Sequence, residues 1–320
     1  MMLPMIHYPG LDVTSIRSGK GDCICLRFVG KSGNYRNMII DTGPTSTSGK
    51  FREFCFNLKS RGEKIDTLLI THYDDDHIGG ILKVVNDYSD ISEVYFNAYN
   101  GTYPSTNLSA SQNQRLFHLF LSKDTKIHSP VLYGNKFSID GANIIIISPT
   151  EDDLQKVMKE MVIADSNLSS CSDWINSFEV LMKKELPSPN LTLANSSSIV
   201  AIFEYNNIRI LLCGDAPAKA ICSGLKTVDN KTFDLVKLPH HGSARSISYD
   251  FLQQIKSENY LICADGTTHP DKQTISLLLK YKSKVNIYSN YSWWEKDFLL
   301  PEDKDYTNNG ILNFKNIIEE

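Results

Sequence analysis

Residues 65–80 of the chain read IDTLLITHYDDDHIGG, and this stretch decides the fold. Its first part is short and apolar, which predicts a buried strand. A helix is expected at about residues 80–88, and Gly79 and Gly80 would let another backbone segment pack closely behind the polar cluster. Four side chains of metal-ligand type lie in that cluster. They are His72, Asp74, Asp76 and His77.

The segments on either side of this stretch predict alternating strands and helices. Upstream, residues 13–29 and 37–43 alternate β-branched and apolar residues, and residues 50–62 have the spacing of an amphipathic helix. Downstream, the segments SSSIVAIFEY and IRILLCGD form a predicted hairpin that turns at Asn206-Asn207. Strands and helices in this order indicate an α/β chain with buried sheets.

Further His and Asp residues follow other predicted strands. Buried strands that end in such residues bring several ligands to one edge of a sheet, where ligand sites of α/β proteins gather. Within residues 71–80, two ligands can face one point and the next two a second point, so two adjacent metal ions are feasible. An isolated acidic triplet would instead be read as helix-capping aspartates. The matching ligands at other strand ends favour the metal site, and they are Asp41, Asp215, the His240-His241 pair and His269.

Composition limits the class of partner. The 320 residues carry 33 Lys and Arg against 37 Asp and Glu, a formal net charge of −4. That balance excludes a generally basic protein that holds nucleic acid by bulk charge, so a nucleic-acid or nucleotide substrate needs a local basic patch or a metal. The sequence has no apolar run near the roughly 18 residues of a spanning helix, and its start does not resemble a signal peptide. Seven cysteines without CxxC pairs indicate buried reduced thiols and hence a cytoplasmic protein.

Five motifs taken together resemble the metallo-β-lactamase superfamily of two-metal hydrolases, and in particular the metallo-β-lactamase-like domain of the ComEC family of DNA-uptake proteins. The superfamily motif is a strand that ends in HxHxDH, and this chain has the variant HxDxDH, with Asp74 in place of the second histidine. The other motifs are SGKGDCICLRF before MIIDTG, NSSSIVAIFEYNNIRILLCGD, LPHHGS and a late HP. In order and spacing, the resemblance covers about residues 12–280.

The resemblance implies the fold class and the domain organisation. The fold would be α/β (α+β), a four-layer αββα sandwich of two mixed sheets with helices outside and metals at one edge. Residues 1–320 would form a single domain with insertions at about 100–135 and 151–190 and a short C-terminal extension from about 286. The charged segment 151–190 is the candidate for a lid or a substrate-recognition element.

The resemblance also implies roles for the residues at the strand ends. Asp41 would orient the ligand loop without binding metal itself. The ligands would be His72 and Asp74 for one ion, Asp76 and His77 for the other, and Asp215 as the bridge between them.

Three histidines compete for the remaining position. His240 or His241 would be a late ligand or would stabilise the transition state and protonate the leaving oxygen, and His269 is the alternative last ligand. Ser243 and Arg245 would bind the phosphate, and the amides after Ser243 would add an anion pocket if they begin a helix. Ser243 as a plain helix N-cap is an equally good interpretation.

One departure from the family pattern concerns the first metal position. The family's ligand histidine before the GD strand would fall near residues 194–196, where this chain has Ala-Asn-Ser. Asn195 is therefore a candidate supporting residue or oxygen ligand, and the site is richer in oxygen than a lactamase zinc site. Oxygen ligands favour Mn²⁺ or Mg²⁺, while the histidines also suit Zn²⁺. Two divalent ions are expected, with a single-metal enzyme as the alternative.

The implied function is that of a phosphodiesterase or nuclease that uses a metal-bound hydroxide on DNA, RNA or a nucleotide, with Asp76 and the His240-His241 pair as catalytic residues. The likeness to DNA-uptake proteins favours DNA, whereas the absence of a basic, aromatic-interleaved stripe favours a short or cyclic nucleotide. An ester, thioester or lactam hydrolase of the same fold is the alternative. A non-catalytic, metal-stabilised binding or regulatory module is the alternative from another class, but Asp76 and Asp215 are both intact.

Overall fold

The computed structural model describes residues 5–88, 90–98, 108–160, 173–189 and 192–317, and two β-sheets form its inner layers. Within these ranges the first sheet has seven strands in chain order. They are β1 (Ile6–Tyr8), β2 (Leu11–Ser15), β3 (Ile24–Val29), β4 (Tyr35–Ile40), β5 (Ile65–Leu69), β6 (Ile91–Tyr95) and β7 (Lys126–His128). Neighbouring strands pair antiparallel from β1 to β4 and parallel from β4 to β7, so the sheet is mixed.

The second sheet repeats this plan, although the sequence shows no internal repeat. Its eight strands in the described part of the chain also follow chain order. They are β8 (Lys136–Ile139), β9 (Ala142–Ser148), β10 (Val200–Tyr205), β11 (Ile208–Leu212), β12 (Leu235–Lys237), β13 (Asn259–Ile262), β14 (Val285–Ser289) and β15 (Leu312–Asn316). Pairing is antiparallel from β8 to β11 and parallel from β11 to β15.

Helices cover the outer face of each sheet. The α-helices of the described ranges are α1 (Ser48–Ser60), α2 (Asp75–Val84), α3 (Leu108–Leu121), α4 (Glu151–Glu160), α5 (Phe178–Lys183), α6 (Leu193–Ser196), α7 (Ala218–Leu225), α8 (Tyr249–Gln254), α9 (Lys272–Tyr281) and α10 (Lys304–Asn308). Phe51 of α1 and Ile81 of α2 share an apolar cluster with the first sheet. Ile221 of α7, Phe251 of α8 and Leu278 of α9 do the same for the second. None of these helices is both long enough and apolar enough to cross a membrane.

A third apolar cluster lies between the two sheets. Phe28 of β3 and Phe203 of β10 meet there, with ring centroids 5.6 Å apart. Successive residues of a strand point to opposite faces, so Leu68 contacts the helices while Leu69 contacts the other sheet. Burial on both faces explains why these strands read as continuous apolar runs. The predicted four-layer αββα sandwich of two mixed sheets is confirmed.

Helix α2 begins earlier than the sequence analysis predicted. It starts at Asp75 rather than near residue 80, with Asp74 as its N-cap residue. Carboxylates in the first turn of a helix are stabilised by the helix dipole, and here Asp75 and Asp76 take those positions. The acidic triplet therefore starts the helix and also contributes to the polar cluster.

The extension predicted from about residue 286 is corrected, because these residues continue the second sheet. β14 pairs with β13 and β15 pairs with β14, both parallel. Trp293 and Phe298, which lie between the last two strands, are fully buried. The prediction of one domain with insertions at about 100–135 and 151–190 stays a prediction, and parts of both insertions lie outside the described residues.

Two glycines bring α2 against the loop that follows β4. A Cβ atom at Gly80 would lie 2.0 Å from the carbonyl oxygen of Thr42, and one at Gly79 would lie 2.1 Å from the amide nitrogen of Thr45. The Thr42 amide donates to the carbonyl oxygen of His77 at 2.7 Å. Only glycine permits this approach, which joins the start of α2 to the loop.

We expect Gly80→Ala to lower the free energy of unfolding by about 2 kcal/mol or more, because the added methyl group overpacks a backbone contact. Gly49→Ala is the matched control, since Gly49 is also helical and a Cβ atom there would meet nothing within 4 Å. That control should be neutral or gain up to about 1 kcal/mol. Urea unfolding of the metal-free proteins, followed by circular dichroism, measures both. Equal stability of the two variants would mean that the contact is not rigid.

Candidate metal centre

The carboxyl ends of parallel strands in both sheets meet at one edge of the molecule. Parallel pairing aligns the ends of β4 and β5 in one sheet and of β11, β12 and β13 in the other. The residues just past those ends carry the polar side chains, as the sequence predicted. They are Asp41 after β4, His72 after β5, Asp215 after β11, His240 and His241 after β12, and His269 after β13.

Asp215 lies at the centre of the cluster and is contacted from both halves of the molecule. Its Oδ2 atom is 3.4 Å from Nε2 of His77 and 3.5 Å from Nε2 of His241. Nε2 of His241 is also 3.5 Å from Oδ2 of Asp76. Two carboxylates and two imidazoles therefore direct their polar atoms to one small region.

His72 and Asp74 lie beside this group. Nε2 of His72 is 3.6 Å from Oδ2 of Asp74, and its ring centroid is 4.0 Å from that of His77. Ligand atoms of His72, His77 and Asp215 lie within 4.8 Å of one another, and so do those of a second group, Asp76, His77 and His241. The two groups share His77, so they lie side by side within one cluster.

Several polar atoms of the cluster are buried without a hydrogen-bond partner. A buried polar atom without a partner costs free energy, so such atoms are rare unless a ligand or water satisfies them. Imidazole nitrogens and carboxylate oxygens are ligands of divalent transition metals, so the donor set fits such ions. These atoms are Nε2 of His72, His77 and His241 together with Oδ1 of Asp215.

Asp41 fixes the orientation of one of these imidazoles. Its fully buried carboxylate accepts hydrogen bonds from the Thr71 amide at 2.8 Å, the Thr71 hydroxyl at 2.7 Å and Nδ1 of His77 at 2.8 Å. Because Nδ1 of His77 donates to a carboxylate, its Nε2 atom faces the cluster. Asp41 adopts φ +57°, a left-handed conformation that aspartate tolerates better than most residues.

The charges of the cluster reinforce one another. Burial alone would lower the pKa of His77, but the carboxylates of Asp215 and Asp41 outweigh burial and raise that pKa well above its usual value. Burial would likewise raise the pKa of Asp215, but His241, His77 and His240 hold it well below the usual range. Asp215 is therefore ionised at neutral pH, the form that binds cations.

The His240-His241 pair separates into an inner and an outer residue. Both adopt left-handed conformations, with φ 48° and 54°, and their side chains are 26% and 2% exposed respectively. Nε2 of His240 is 3.8 Å from Oδ2 of Asp215, while its Nδ1 atom is 3.2 Å from the Ser246 hydroxyl. His241 is thus enclosed by the cluster, whereas His240 borders it on the open side.

His269 lies beyond this pair. Its ring centroid is 5.2 Å from that of His240 and 6.3 Å from that of His241. Burial, with the nearby His240 and His241, lowers the pKa of His269 to about 3. Its Nδ1 atom is buried without a hydrogen-bond partner. His269 is therefore a neutral neighbour of the cluster.

Asn195 borders the cluster at the place where the family pattern has a histidine. The residue is 3% exposed, and its Oδ1 atom is buried without a hydrogen-bond partner. Its Nδ2 atom lies 3.4 Å from Nδ1 of His240. The structure thus brings Asn195 to the outer histidine.

Both residues of the predicted phosphate pocket, Ser243 and Arg245, have partners within the protein, and the pocket stays a prediction. The Ser243 hydroxyl donates to Oδ2 of Asp271 at 3.4 Å, and the Ala244 amide donates to the same atom at 2.8 Å. A carboxylate of the protein thus takes the place of the expected anion, and only a three-residue turn begins at Ala244. Arg245 is exposed and donates to the carbonyl oxygen of Ser188 at 3.1 Å.

Two buried charged residues of the centre, Asp22 and Lys237, were not predicted as site residues from the sequence. Oδ2 of Asp22 is 2.7 Å from Nζ of Lys237, and its Oδ1 atom is 3.1 Å from Nδ1 of His241. A signal was present, because Lys237 interrupts the apolar strand FDLVKL and a charge in such a strand requires a buried partner. Asp22 is the acid of the quoted motif SGKGDCICLRF, but the sequence does not pair it with Lys237.

Part of the chain matches a known family of proteins. Residues 28–95, which run from β3 through the HxDxDH motif to β6, match the model of the metallo-beta-lactamase superfamily. The resemblance to this superfamily, which consists in general of hydrolytic metalloenzymes, is confirmed.

Among individual proteins, the chain is 23% identical over 309 residues to ComE operon protein 3 of Bacillus subtilis (strain 168). The match covers 89% of the chain and 33% of that protein, so the chain spans about a third of this relative. Among solved structures, Zn(2+)-bound PqqB from Methylobacterium extorquens has a TM-score of 0.45 at 10% identity, and the match covers 92% of this chain and 85% of the PqqB chain. A diphosphatase from the PhnP family has a TM-score of 0.40 at 13% identity, and the match covers 94% of this chain and 81% of the diphosphatase.

We expect Asp41→Asn to lower the free energy of unfolding of the metal-free protein by about 2–3 kcal/mol, because the new amide group meets buried donors. Asp75→Asn is the matched control, since Asp75 is exposed and its carboxylate accepts hydrogen bonds from the amide and hydroxyl of Thr45. That control should cost less than about 1 kcal/mol. Urea unfolding at pH 7 measures both. If Asp41→Asn were as stable as the control, Asp41 would not hold the loop.

Proposed function

We propose that the chain is a metal-dependent phosphodiesterase that acts on DNA, RNA or a nucleotide. The observation that carries the proposal is the convergence of unpartnered imidazole nitrogens on the buried Asp215 carboxylate. The superfamily resemblance supports hydrolysis as the reaction. The net charge of −4 supports a substrate that is held through the metal centre rather than by bulk charge.

The cluster offers ligands for two divalent ions. His72, Asp74 and Asp215 would hold one ion, and Asp76, His77 and His241 would hold the other, with Asp215 shared. When bound, the ions would lower the pKa of water and stabilise negative charge on the phosphate oxygens. The mixture of imidazoles and carboxylates suits Mn²⁺ or Zn²⁺, with Mg²⁺ as a third choice.

His241 and His240 take different parts in this proposal. His241 is the metal ligand, because its Nε2 atom lies 3.5 Å from both Asp76 and Asp215. His240 is the catalytic residue that contacts the substrate, because it borders the open side, and the Ser246 hydroxyl lies 3.2 Å from its Nδ1 atom. There it would donate a hydrogen bond to the phosphate or transfer a proton to the leaving oxygen. His269 is given the part of a supporting neighbour, because among the described residues it belongs to neither of these two groups of converging ligand atoms.

The motif resemblance bears on the substrate class, and the cysteines bear on the compartment. The motif resemblance to DNA-uptake proteins favours DNA. Phosphate binding by Arg245 and Ser243 stays part of the proposal, although both residues also have protein partners. Six cysteines of the described ranges are buried. They are compatible with a reducing compartment, so a cytoplasmic location is part of the proposal.

We expect purified protein to contain up to two divalent ions per chain and to cleave a labelled phosphodiester when Mn²⁺ or Zn²⁺ is supplied. Asp76→Ala should lower kcat at least about 100-fold, since losing a ligand costs no less than losing a residue that supports one. Asp229→Ala is the matched control, because Asp229 is exposed and lies before the amino end of β12, whereas the metal centre follows its carboxyl end. It should retain full activity.

The substrate panel separates the competing functions. It contains single- and double-stranded DNA, RNA, cyclic dinucleotides, nitrocefin and a thioester, each with Mn²⁺, Mg²⁺ or Zn²⁺. Turnover of nitrocefin or the thioester alone would replace the proposal with an ester, thioester or lactam hydrolase. Bound metal without turnover of any substrate would favour a binding or regulatory module. Cleavage by Asp76→Ala at the wild-type rate would place the activity elsewhere.

We expect substitution of His240 and of His241 to have different effects on metal content and activity. His241→Ala should lower both bound metal and activity, whereas His240→Ala should keep the metal content and lower kcat by about 10²–10⁴-fold. Metal analysis after dialysis and single-turnover kinetics on the same samples check this. The reverse pattern would exchange the roles of the two residues.

A further inference from the structure

Lys237 and Asp22 form a buried ion pair beside the metal centre. Each residue is 1% exposed, and Nζ of Lys237 lies 2.7 Å from Oδ2 of Asp22. The same ammonium donates to the carbonyl oxygen of Leu238 at 2.9 Å. A buried charge requires a partner, so each of these residues stabilises the other in the interior.

The other side of the Asp22 carboxylate faces a proposed metal ligand. Its Oδ1 atom is 3.1 Å from Nδ1 of His241. That nitrogen also lies 3.0 Å from the carbonyl oxygen of Cys263, so it donates to the carbonyl and carries the proton next to a negative charge. Nε2 of His241 is then left to face the cluster.

The backbone of Asp22 reaches a second proposed ligand. Its amide donates to the carbonyl oxygen of Asp76 at 3.2 Å, and its own carbonyl oxygen accepts from the Gly43 amide at 2.7 Å. A Cβ atom at Gly21 would lie 2.0 Å from the same Asp76 oxygen. One residue therefore contacts both Asp76 and His241, which come from different halves of the chain.

Asp22 is itself close enough to the cluster to be considered as a ligand. Its carboxylate lies within 4.8 Å of ligand atoms of Asp215 and His241. The Lys237 ammonium argues against that role, because it already neutralises Asp22 and would repel a metal ion bound to the same carboxylate. The ammonium of Lys237, 2.7 Å from Oδ2 of Asp22, favours the charged form of this carboxylate. The carboxylate therefore acts as an ionised partner outside the ligand set.

We infer that Asp22, neutralised by Lys237, is a positioning residue that aligns Asp76 and His241 for the metal position they form. Its place relative to His241 matches that of Asp41 relative to His77, since each carboxylate lies at Nδ1 of an imidazole whose Nε2 atom faces Asp215. Carboxylates that support ligand histidines in this way affect metal affinity without binding the metal. This inference rests on the metal-binding part of the proposed function.

The test separates positioning from the stability of the ion pair. Asp22→Asn alone leaves Lys237 buried without a counter-charge, so any loss of metal in it would be mixed with a loss of stability. The double variant Asp22→Asn/Lys237→Met removes both charges together, and we expect its unfolding free energy without metal to stay near that of the wild type. Equilibrium dialysis against Zn²⁺ and Mn²⁺ then gives metal bound per chain. One of the two ions should bind about 10- to 100-fold more weakly in the double variant.

A second buried ion pair supplies the matched control. Nζ of Lys272 lies 2.6 Å from Oδ2 of Asp303, and both residues are as buried as the first pair. This pair touches no proposed ligand among its described contacts, where Lys272 also donates to the Trp174 carbonyl and lies over the Phe178 ring. Asp303→Asn/Lys272→Met should bind both ions with wild-type affinity, whatever its stability.

Each outcome bears on the inference. A folded Asp22→Asn/Lys237→Met variant that binds both ions as tightly as the wild type would overturn it and leave the proposed function intact. Equal weakening in the control variant would also overturn it, because the effect would then come from general loss of rigidity. A wild-type protein that binds no divalent ion would overturn the inference and the proposed function together. Because the measured quantity is bound metal, the absence of phosphodiester turnover alone would refute only the function.

Discussion

The candidate centre depends on one constraint, that a charge buried in the interior must be compensated by its neighbours. Asp215 is 3% exposed, and its compensation comes from His77 in the first half of the chain and His241 in the second. Each imidazole has a carboxylate behind it, Asp41 for the first and Asp22 for the second. Alternating charges thus run from one half of the molecule to the other through Asp215.

This alternation is available only because the two sheets pack face to face. Antiparallel strands return to the side from which they came, but β4 with β5 and β11 with β12 and β13 are parallel and end at the same side. The apolar cluster between the sheets, which includes Phe28 and Phe203, holds these two sets of strand ends together. Apolar packing between the sheets therefore supports the polar contacts at their edge.

The sequence was sufficient for the features that depend on local pattern, such as the buried strands and the hairpin at Asn206-Asn207, where both residues have positive φ. It did not predict the pairing of Asp22 with Lys237, because these residues lie far apart in the chain and no local pattern reports their contact. The sequence also did not predict the backbone conformation of the site loops. The two histidines of LPHHGS are chemically equal, and only their consecutive left-handed conformations enclose His241 and leave His240 at the open side. The start of α2 was misplaced for a related reason, since three aspartates in a row are compatible with a loop or with the first turn of a helix.

The open side of the centre explains why a divalent ion would matter for binding as well as for chemistry. Asp74 and Asp76 are partly exposed there, at 31% and 24% of their side chains, and the neighbouring Asp75 is exposed. A phosphate that approaches these carboxylates is repelled unless cations intervene, and the chain has no net positive charge to offset this. Bound metal would reverse the local sign of the electrostatic potential. The carboxylates that bind the metal ions would thereby also attract an anionic substrate.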